Sequence, residues 1–284
     1  MDEHLLIGQD RMDVAVRQGD ANRSTSGQWG SFTSHRRNLE VLLRPEAPSG
    51  RLCVLGAGNC NDLDLEWLIK VYGEVHLVDI DPDALSRAVR RQKLEHSSAI
   101  ILHAPIDLTG ISPLVRKWNE KTSVAEVDEA IQLINRPLNL KLGEFDTVLS
   151  PCLLSQLIFQ VREKLGPDHA RLRDIRKAIR AAHLRTMIDL LKPDGRGLLA
   201  IDLVSSDTVP DLARASEHEL PQLISWTIQQ QKHFPDLDPA SIAAAFQRIP
   251  NSPKIQPPKF TSPWLWHLSI RKSFLVYAAQ FTKN

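Results

Sequence analysis

Three things are scarce in this chain of 284 residues: cysteine, net charge and long apolar runs. The three cysteines, Cys53, Cys60 and Cys152, have neither the count nor the spacing of a disulfide framework or a metal site. That usage points to a reducing, cytoplasmic compartment. Lys+Arg 35 against Asp+Glu 34 leaves a formal charge of +1, so no global field draws the protein to nucleic acid or to an acidic membrane surface. No apolar window approaches the roughly 18 residues needed to span a bilayer. The start, Met1-Asp-Glu-His-Leu-Leu-Ile7, is acidic with a very short apolar run and lacks the pattern of a signal peptide. There is no internal repeat and no low-complexity segment.

What is present is ordinary for a globular protein in bulk, with 42% apolar and 24% charged residues, and specific in two places. In Arg51-Leu-Cys-Val-Leu-Gly56-Ala57-Gly58-Asn-Cys60-Asn-Asp62 a short apolar run breaks into a glycine loop ahead of a helix. Glycine lets bare backbone approach a ligand and tolerates unusual dihedrals. About twenty residues on, Glu74-Val-His-Leu-Val-Asp79-Ile80-Asp81-Pro82 is a second apolar run ending in an acid. A glycine loop and an acid placed for ribose hydroxyls form the two parts of a Rossmann-like nucleotide site. Asp81 with Pro82 already suits a helix N-cap, which leaves Asp79 free for the ribose. For Asp62 both a cofactor contact and a helix cap are open.

Strands are expected at 51–55, 75–79, 99–103, 147–150 and 197–204. Helices are expected at 34–43, from Asn61 or Asp62 to Tyr72, at 82–95, 112–119, 123–135, 152–164 and 168–192. This alternation predicts a doubly wound, mostly parallel sheet with helices on both faces. Trp264 to Leu268 and Ser273 to Phe281 then read as a closing antiparallel hairpin joined by a short basic turn, giving seven strands. Residues 1–45 form a leader or cap, and 46–282 the main domain. Within it, 206–262, richer in proline, is expected to be a lid insertion with helices near 218–231 and 239–248.

Taken together these motifs resemble class I S-adenosylmethionine-dependent methyltransferases over about residues 50–205 and 263–282. Gly56, Ala57 and Gly58 are similar to the family's first motif, whose backbone lies against the methionine part of the cofactor. Asp79 matches the acid that accepts from the ribose hydroxyls, and Ile80 the apolar residue packed on adenine. Asp107 resembles the polar residue after strand three that contacts the adenine amino group, although Asp-Leu-Thr-Gly is equally a turn or cap. Ser150 and Pro151, in Asp146-Thr-Val-Leu-Ser-Pro-Cys152, match the strand-four exit near the transferable methyl. Leu190-Leu-Lys-Pro-Asp-Gly-Arg-Gly is typical of the family's turn into strand five.

The chain departs from the pattern at Cys60, where a third glycine often stands, and at Leu55, where an acid often precedes the loop. Asn61 stands where a dinucleotide fingerprint needs glycine, so an NAD(P)-dependent oxidoreductase is the weaker reading. A non-catalytic, binding or scaffold version of the fold is the other alternative. The resemblance implies S-adenosyl-L-methionine as cofactor and methyl transfer. The insertion, the balanced charge and the lack of an Asn-Pro-Pro-Tyr type exit at 150 favour a small-molecule acceptor, oxygen or nitrogen, over nucleic acid. No metal and no membrane contact are expected, and no oligomeric state is assigned. No catalytic base stands out, since His103, His233 and His267 read as surface or packed residues. In the leader, Trp29, Phe32, His35 and Arg36 either dock it on the core or close over the cofactor. Cys152 reads as packing rather than as a nucleophile.

Overall fold

A computed structural model describes residues 22, 23, 25–45, 49–249, 255–269 and 272–284. The expected start of the leader, the turn at Pro48 and the basic turn of the hairpin lie wholly or partly outside the described residues. Among the described residues eight strands form one sheet: β1 (Ser49–Leu55), β2 (Tyr72–Val78), β3 (Ile100–His103), β4 (Phe145–Pro151), β5 (Leu191–Ser205), β6 (Lys259–Phe260), β7 (Trp264–Ser269) and β8 (Lys272–Thr282). The order is β3-β2-β1-β4-β5-β8, with β6 and β7 both pairing β8. β1 to β5 are parallel neighbours and β8 returns antiparallel to β5. This is the doubly wound sheet with a closing hairpin that the sequence predicts, and β6, two residues long, is the unexpected eighth strand.

Alternation along the strands builds two apolar layers, because successive side chains leave opposite faces of a sheet. On one face Cys53, Leu55, Val78, Val148, Leu199 and Ile201 meet helices α5 (Val124–Ile134), α6 (Leu153–Leu165) and α7 (Leu172–Asp189). On the other, Leu52, Val54, Leu77, Leu149, Leu198 and Ala200 meet α1 (Thr33–Leu43), α2 (Leu65–Val71) and α3 (Pro82–Arg91). Parallel strands buried on both faces read as continuous apolar runs, and these do.

Local chemistry sets the boundaries. Asp81 caps α3, its Oδ1 accepting from the amides of Asp83 and Ala84 at 3.0 and 3.1 Å. Ser123 and Glu126 form a capping box at α5. α2 starts at Leu65 because Asp64, not Asn61 or Asp62, caps it, accepting from Trp67 N at 2.9 Å. The helix expected at 112–119 shortens to α4 (Ser112–Val115), and α1 begins at Thr33 with no side-chain cap from Ser34. The Lys192-Pro-Asp-Gly195 turn lies within β5 as a register break. Asp194 takes a φ of +61° there, and Asp194 N donates to Lys283 O at 2.8 Å.

Of the segment expected to be a lid insertion, residues 206–249 pack on the sheet domain. Its helices α8 (Leu220–Gln229) and α9 (Pro239–Gln247) contribute Leu220, Ile242 and Phe246 to the first apolar layer. Tyr277 Oη donates to Leu237 O at 2.6 Å, and Arg176 pairs with Asp236 at 3.1 Å. No helix among the described residues is long and apolar enough to cross a membrane.

Candidate functional site

In open α/β sheets, ligands bind beyond the carboxyl ends of the strands. The loop after β1 and the end of β2 meet at that place. Gly56 N and Ala57 N donate to Val78 O at 2.8 and 3.1 Å, and Gly58 N donates to Asp79 Oδ2 at 2.8 Å. Asp79 Oδ1 accepts from Asp81 N at 2.9 Å. Gly56 and Gly58 have φ of +76° and +48°, in the left-handed region that side chains resist. A Cβ on Gly56 would lie 2.7 Å from Leu153 Cδ2. Cys60 takes the same region with φ of +48°, so the loop keeps its turn without a glycine there.

Gly56, Asp79, Ile80, Ile106, Asp107, Leu108, Ser112, Leu153, Leu157 and Gln160 line one small cavity of about 40 Å³. Four of the expected cofactor residues, Gly56, Asp79, Ile80 and Asp107, thus come together around it. Ala57 is buried within the loop. Asp79 is buried, and burial pushes its carboxyl upward against the opposing effect of the Asp81 and Gly58 amides. Asp107 sits at the cavity and also caps a turn: Oδ1 accepts from Thr109 N and Oγ1 at 2.8 and 2.6 Å, and Oδ2 from Ser112 N at 2.8 Å.

Ser150 and Pro151 lie apart from the cavity lining. Ser150 is fully buried, and its Oγ is 2.8 Å from His183 Nε2. Position on β4 explains this, because Ser150 shares the face of Val148 and points to the α6–α7 layer. His183 is buried with its Nδ1 unpaired, and desolvation lowers it to about 4.

The leader covers the glycine loop from the other side. Asn22 Nδ2 donates to Asp81 Oδ2 at 2.9 Å, Asn59 Nδ2 donates to Asn22 O, and Asn61 Nδ2 to Thr25 O at 2.8 Å. Trp29 lies between two guanidinium groups, Arg36 at 3.7 Å and Arg91 at 4.7 Å from the ring centre. Both arginines reach the loop: Arg36 Nη1 donates to Asn61 O, and Arg91 Nη2 to Asn59 O, each at 2.6 Å. His35 accepts from Trp264 Nε1 at 3.1 Å and stacks on Trp266 at 4.6 Å. It is fully buried, and desolvation lowers it to about 3. Phe32 meets Trp266 edge-on at 5.0 Å. Docking therefore accounts for Phe32 and His35, whereas Trp29 and Arg36 hold the leader on the loop itself.

Two acids in this region have no structural cap to make. Asp62 is half-buried as a residue, but its carboxyl is desolvated and pushed up to about 7, with Arg36 and Arg91 opposing the rise. Asp202, on β5 next to the β4 exit, is buried and likewise pushed up to about 7. Ser155 Oγ donates to Asp202 Oδ1. Sequence reasoning passed over Asp202, though the signal was there: one acid inside Gly197-Leu-Leu-Ala-Ile-Asp-Leu-Val204. Cys152 begins α6 at φ of +50° and is buried, with its thiol raised far above the usual range. That environment suits packing and not a nucleophile. Beyond β5, a wide groove of about 820 Å³ is lined by Gln28, Ser31, Ala213, His267, Leu268, Ser269 and Ser273. Among the described residues no group of three or more His, Cys, Asp and Glu is placed to hold a metal ion.

No family model and no curated protein matches the chain. Solved structures do align with it loosely. The N-methyltransferase NodS from Bradyrhizobium japonicum WM9, in complex with S-adenosyl-L-homocysteine, is 13% identical over 88% of this chain and 86% of its own, with a TM-score of 0.43. The YcgJ protein from Bacillus subtilis is 14% identical over 88% and 99%, with a TM-score of 0.45. Magnesium protoporphyrin IX methyltransferase from Synechocystis PCC 6803, with bound S-adenosylmethionine, is 9% identical over 98% and 87%, at 0.43. Superpositions this loose transfer no residue role and no ligand. The chemistry rests on the chain's own site.

Proposed function

We propose that the protein is an S-adenosylmethionine-dependent methyltransferase acting on a small-molecule acceptor through oxygen or nitrogen. One observation carries the reading: the glycine loop and the β2 acid are joined by the Gly58–Asp79 hydrogen bond at the rim of one cavity. The donor set suits an adenosyl ligand. Asp79 is a carboxylate on the cavity wall that can accept from a ribose hydroxyl, Ile80 offers an apolar flank for the base, and Asp107 stands on the same wall. A mostly parallel sheet closed by an antiparallel hairpin is what the family resemblance implies.

The volume is the other half of the test. About 40 Å³ is far below the roughly 300 Å³ at which ligand sites begin. Admitting a nucleoside requires Leu153 to swing away from Gly56. An S-adenosyl sulfonium, once bound, supplies the activated methyl group. The chain's part is to orient the partners and to exclude water. Asp79 and the loop amides hold the donor, and the leader residues Asn22 and Trp29 shield the loop from solvent. Balanced charge supports a small acceptor over nucleic acid, and three unpaired buried cysteines suit a reducing cytoplasm.

Calorimetric titration with S-adenosylmethionine, S-adenosylhomocysteine and NAD tests the reading. Binding of both S-adenosyl ligands without NAD is expected. NAD binding alone would replace the proposal with the oxidoreductase alternative, and no binding at all would favour a scaffold role. Asp79→Ala should weaken S-adenosylhomocysteine by about 1–3 kcal/mol, the worth of hydrogen bonds to a charged group. Unchanged affinity would remove Asp79 from the site.

A further inference from the structure

One polar side chain on the cavity wall has no bond that the fold requires. Leu153, Leu157 and Gln160 of α6 all line the cavity, and spacings of four and then three residues set them on one face of the helix. The stripe begins apolar and ends in an amide. The adjacent Phe159 is 54% exposed, so this turn of α6 leaves an aromatic ring in solvent and sets an amide on the cavity wall. Packing alone favours the reverse arrangement. Among the described residues the Gln160 amide has no hydrogen-bond partner. Its place along the cavity follows from Leu153, which stands against the glycine loop: a Cβ on Gly56 would lie 2.7 Å from Leu153 Cδ2. Gln160 is seven residues further, about 10 Å along the helix axis. That separation carries it from the loop to the far end of a nucleoside. Asp107 shares the lining, with its oxygens accepting from Thr109 and Ser112. A carboxylate offers acceptors only, whereas Gln160 holds a donor and an acceptor side by side on one planar group.

Resting on the methyltransferase reading, we propose that Gln160 reads the adenine of the S-adenosyl ligand. Its Oε1 accepts from the exocyclic amino group, and its Nε2 donates to a ring nitrogen beside that group, the two-bond pattern by which a side-chain amide recognises adenine. Asp107 can answer the amino group but not the ring nitrogen, which carries a lone pair and no hydrogen. Gln160 supplies the donor that this nitrogen needs. The swing of Leu153 that admits the nucleoside leaves Gln160 in place, since the two side chains stand two helical turns apart. Gln160 thereby sets the preference of the site for adenine over an apolar ring of the same shape.

The test needs no knowledge of the acceptor. Two ring nitrogens, N1 and N7, lie on either side of the adenine amino group. Calorimetry on the full chain compares S-adenosylhomocysteine with its 1-deaza and 7-deaza analogues, each of which replaces one of these nitrogens by C–H and keeps the amino group. Wild type should bind one analogue about tenfold more weakly, as expected for a buried group left without its hydrogen bond, and the analogue that suffers identifies the edge Gln160 reads. Gln160→Leu should bind S-adenosylhomocysteine about tenfold more weakly than wild type and no longer distinguish it from that analogue. Phe159→Ala, on the outer face of the same helix, should keep the wild-type preference. A wild type that binds all three ligands equally overturns the proposal, as does a preference that survives in Gln160→Leu or is lost equally in Phe159→Ala. If S-adenosylhomocysteine fails to bind wild type, the methyltransferase reading itself is at fault. Should Gln160→Leu not fold, Gln160→Met, matched in length, carries the same comparison with the same outcomes.

Discussion

A methyl group added to Gly56 would meet Leu153 Cδ2 at 2.7 Å and Cδ1 at 2.8 Å, on a backbone with φ of +76°. Two separate costs follow, one conformational and one steric. The left-handed backbone costs an L-residue about 1–2 kcal/mol, and the contact adds to it unless Leu153 moves. Gly56→Ala should lower the unfolding free energy from denaturant melts by at least the first amount. Leu153→Ala opens space against residue 56, so the double variant should be more stable than the sum of the single losses implies, with a coupling of about 1 kcal/mol. Strict additivity in urea melts would mean that Leu153 does not press on the loop. The same pair matters for ligand entry, because Leu153 is also a wall of the cavity. Residue-level reading of the sequence singles out the glycines and Asp79, which the structure brings together, because their pattern is local. It puts the helix cap at Asn61 or Asp62 and misses Asp64, since three cap-competent residues stand within four positions and only the helix start decides. Once Asp64 takes the cap, Asp62 becomes a buried acid to be explained by its surroundings.

At the scale of elements, the leader is held by contacts that join distant parts of the chain. Trp29 is stacked between Arg36 of α1 and Arg91 of α3, and both guanidinium groups are pinned by loop carbonyls. Cation–π contacts of this kind contribute about 0.5–2 kcal/mol each when partly desolvated. Trp29→Ala should therefore free residues 25–32 locally while α1 stays docked through His35 and Trp264. Limited proteolysis should cut that segment about tenfold faster, with a much smaller change in the global unfolding midpoint. A loss of global stability equal to the local one would show that leader and core unfold together. The βα alternation, the closing hairpin and the leader's aromatic and basic residues were all legible in sequence, because each rests on periodicity or composition. The Arg91 contact was not, since it pairs positions 62 apart through the fold. Nor was β6, whose two residues are set by β8 alone. Ser150 was readable as a strand-end residue, but not its partner: His183 stands 33 residues on, in a helix that the fold brings back to it.

For the molecule as a whole, two sets of buried groups act on stability with opposite signs. His35 and His183 fall to about 3 and about 4 in the folded state. Their stabilising effect is complete above the unfolded value near 6.5 and is lost as pH falls toward those numbers. Asp62 and Asp202 rise to about 7. Their contribution is complete below the unfolded value near 3.8 and is lost as pH climbs through 7. Each group contributes a slope of about 1.4 kcal/mol per pH unit while its folded and unfolded forms differ in charge. Between about pH 4.5 and 6.5 two imidazoles favour higher pH and two carboxyls favour lower pH, and the slopes nearly cancel. The melting temperature should then be almost level across that window and decline from 6.5 to 7.5 as the acids ionise alone. Asp202→Asn removes one acid from the balance, so its melting temperature should rise with pH from 4.5 to 6.5, the opposite of a loss spread evenly over all conditions. Calorimetric melts of both proteins at half-unit steps would show it. A level variant, or a wild type that climbs steeply over the same range, would mean that Asp202 is not a buried acid at all.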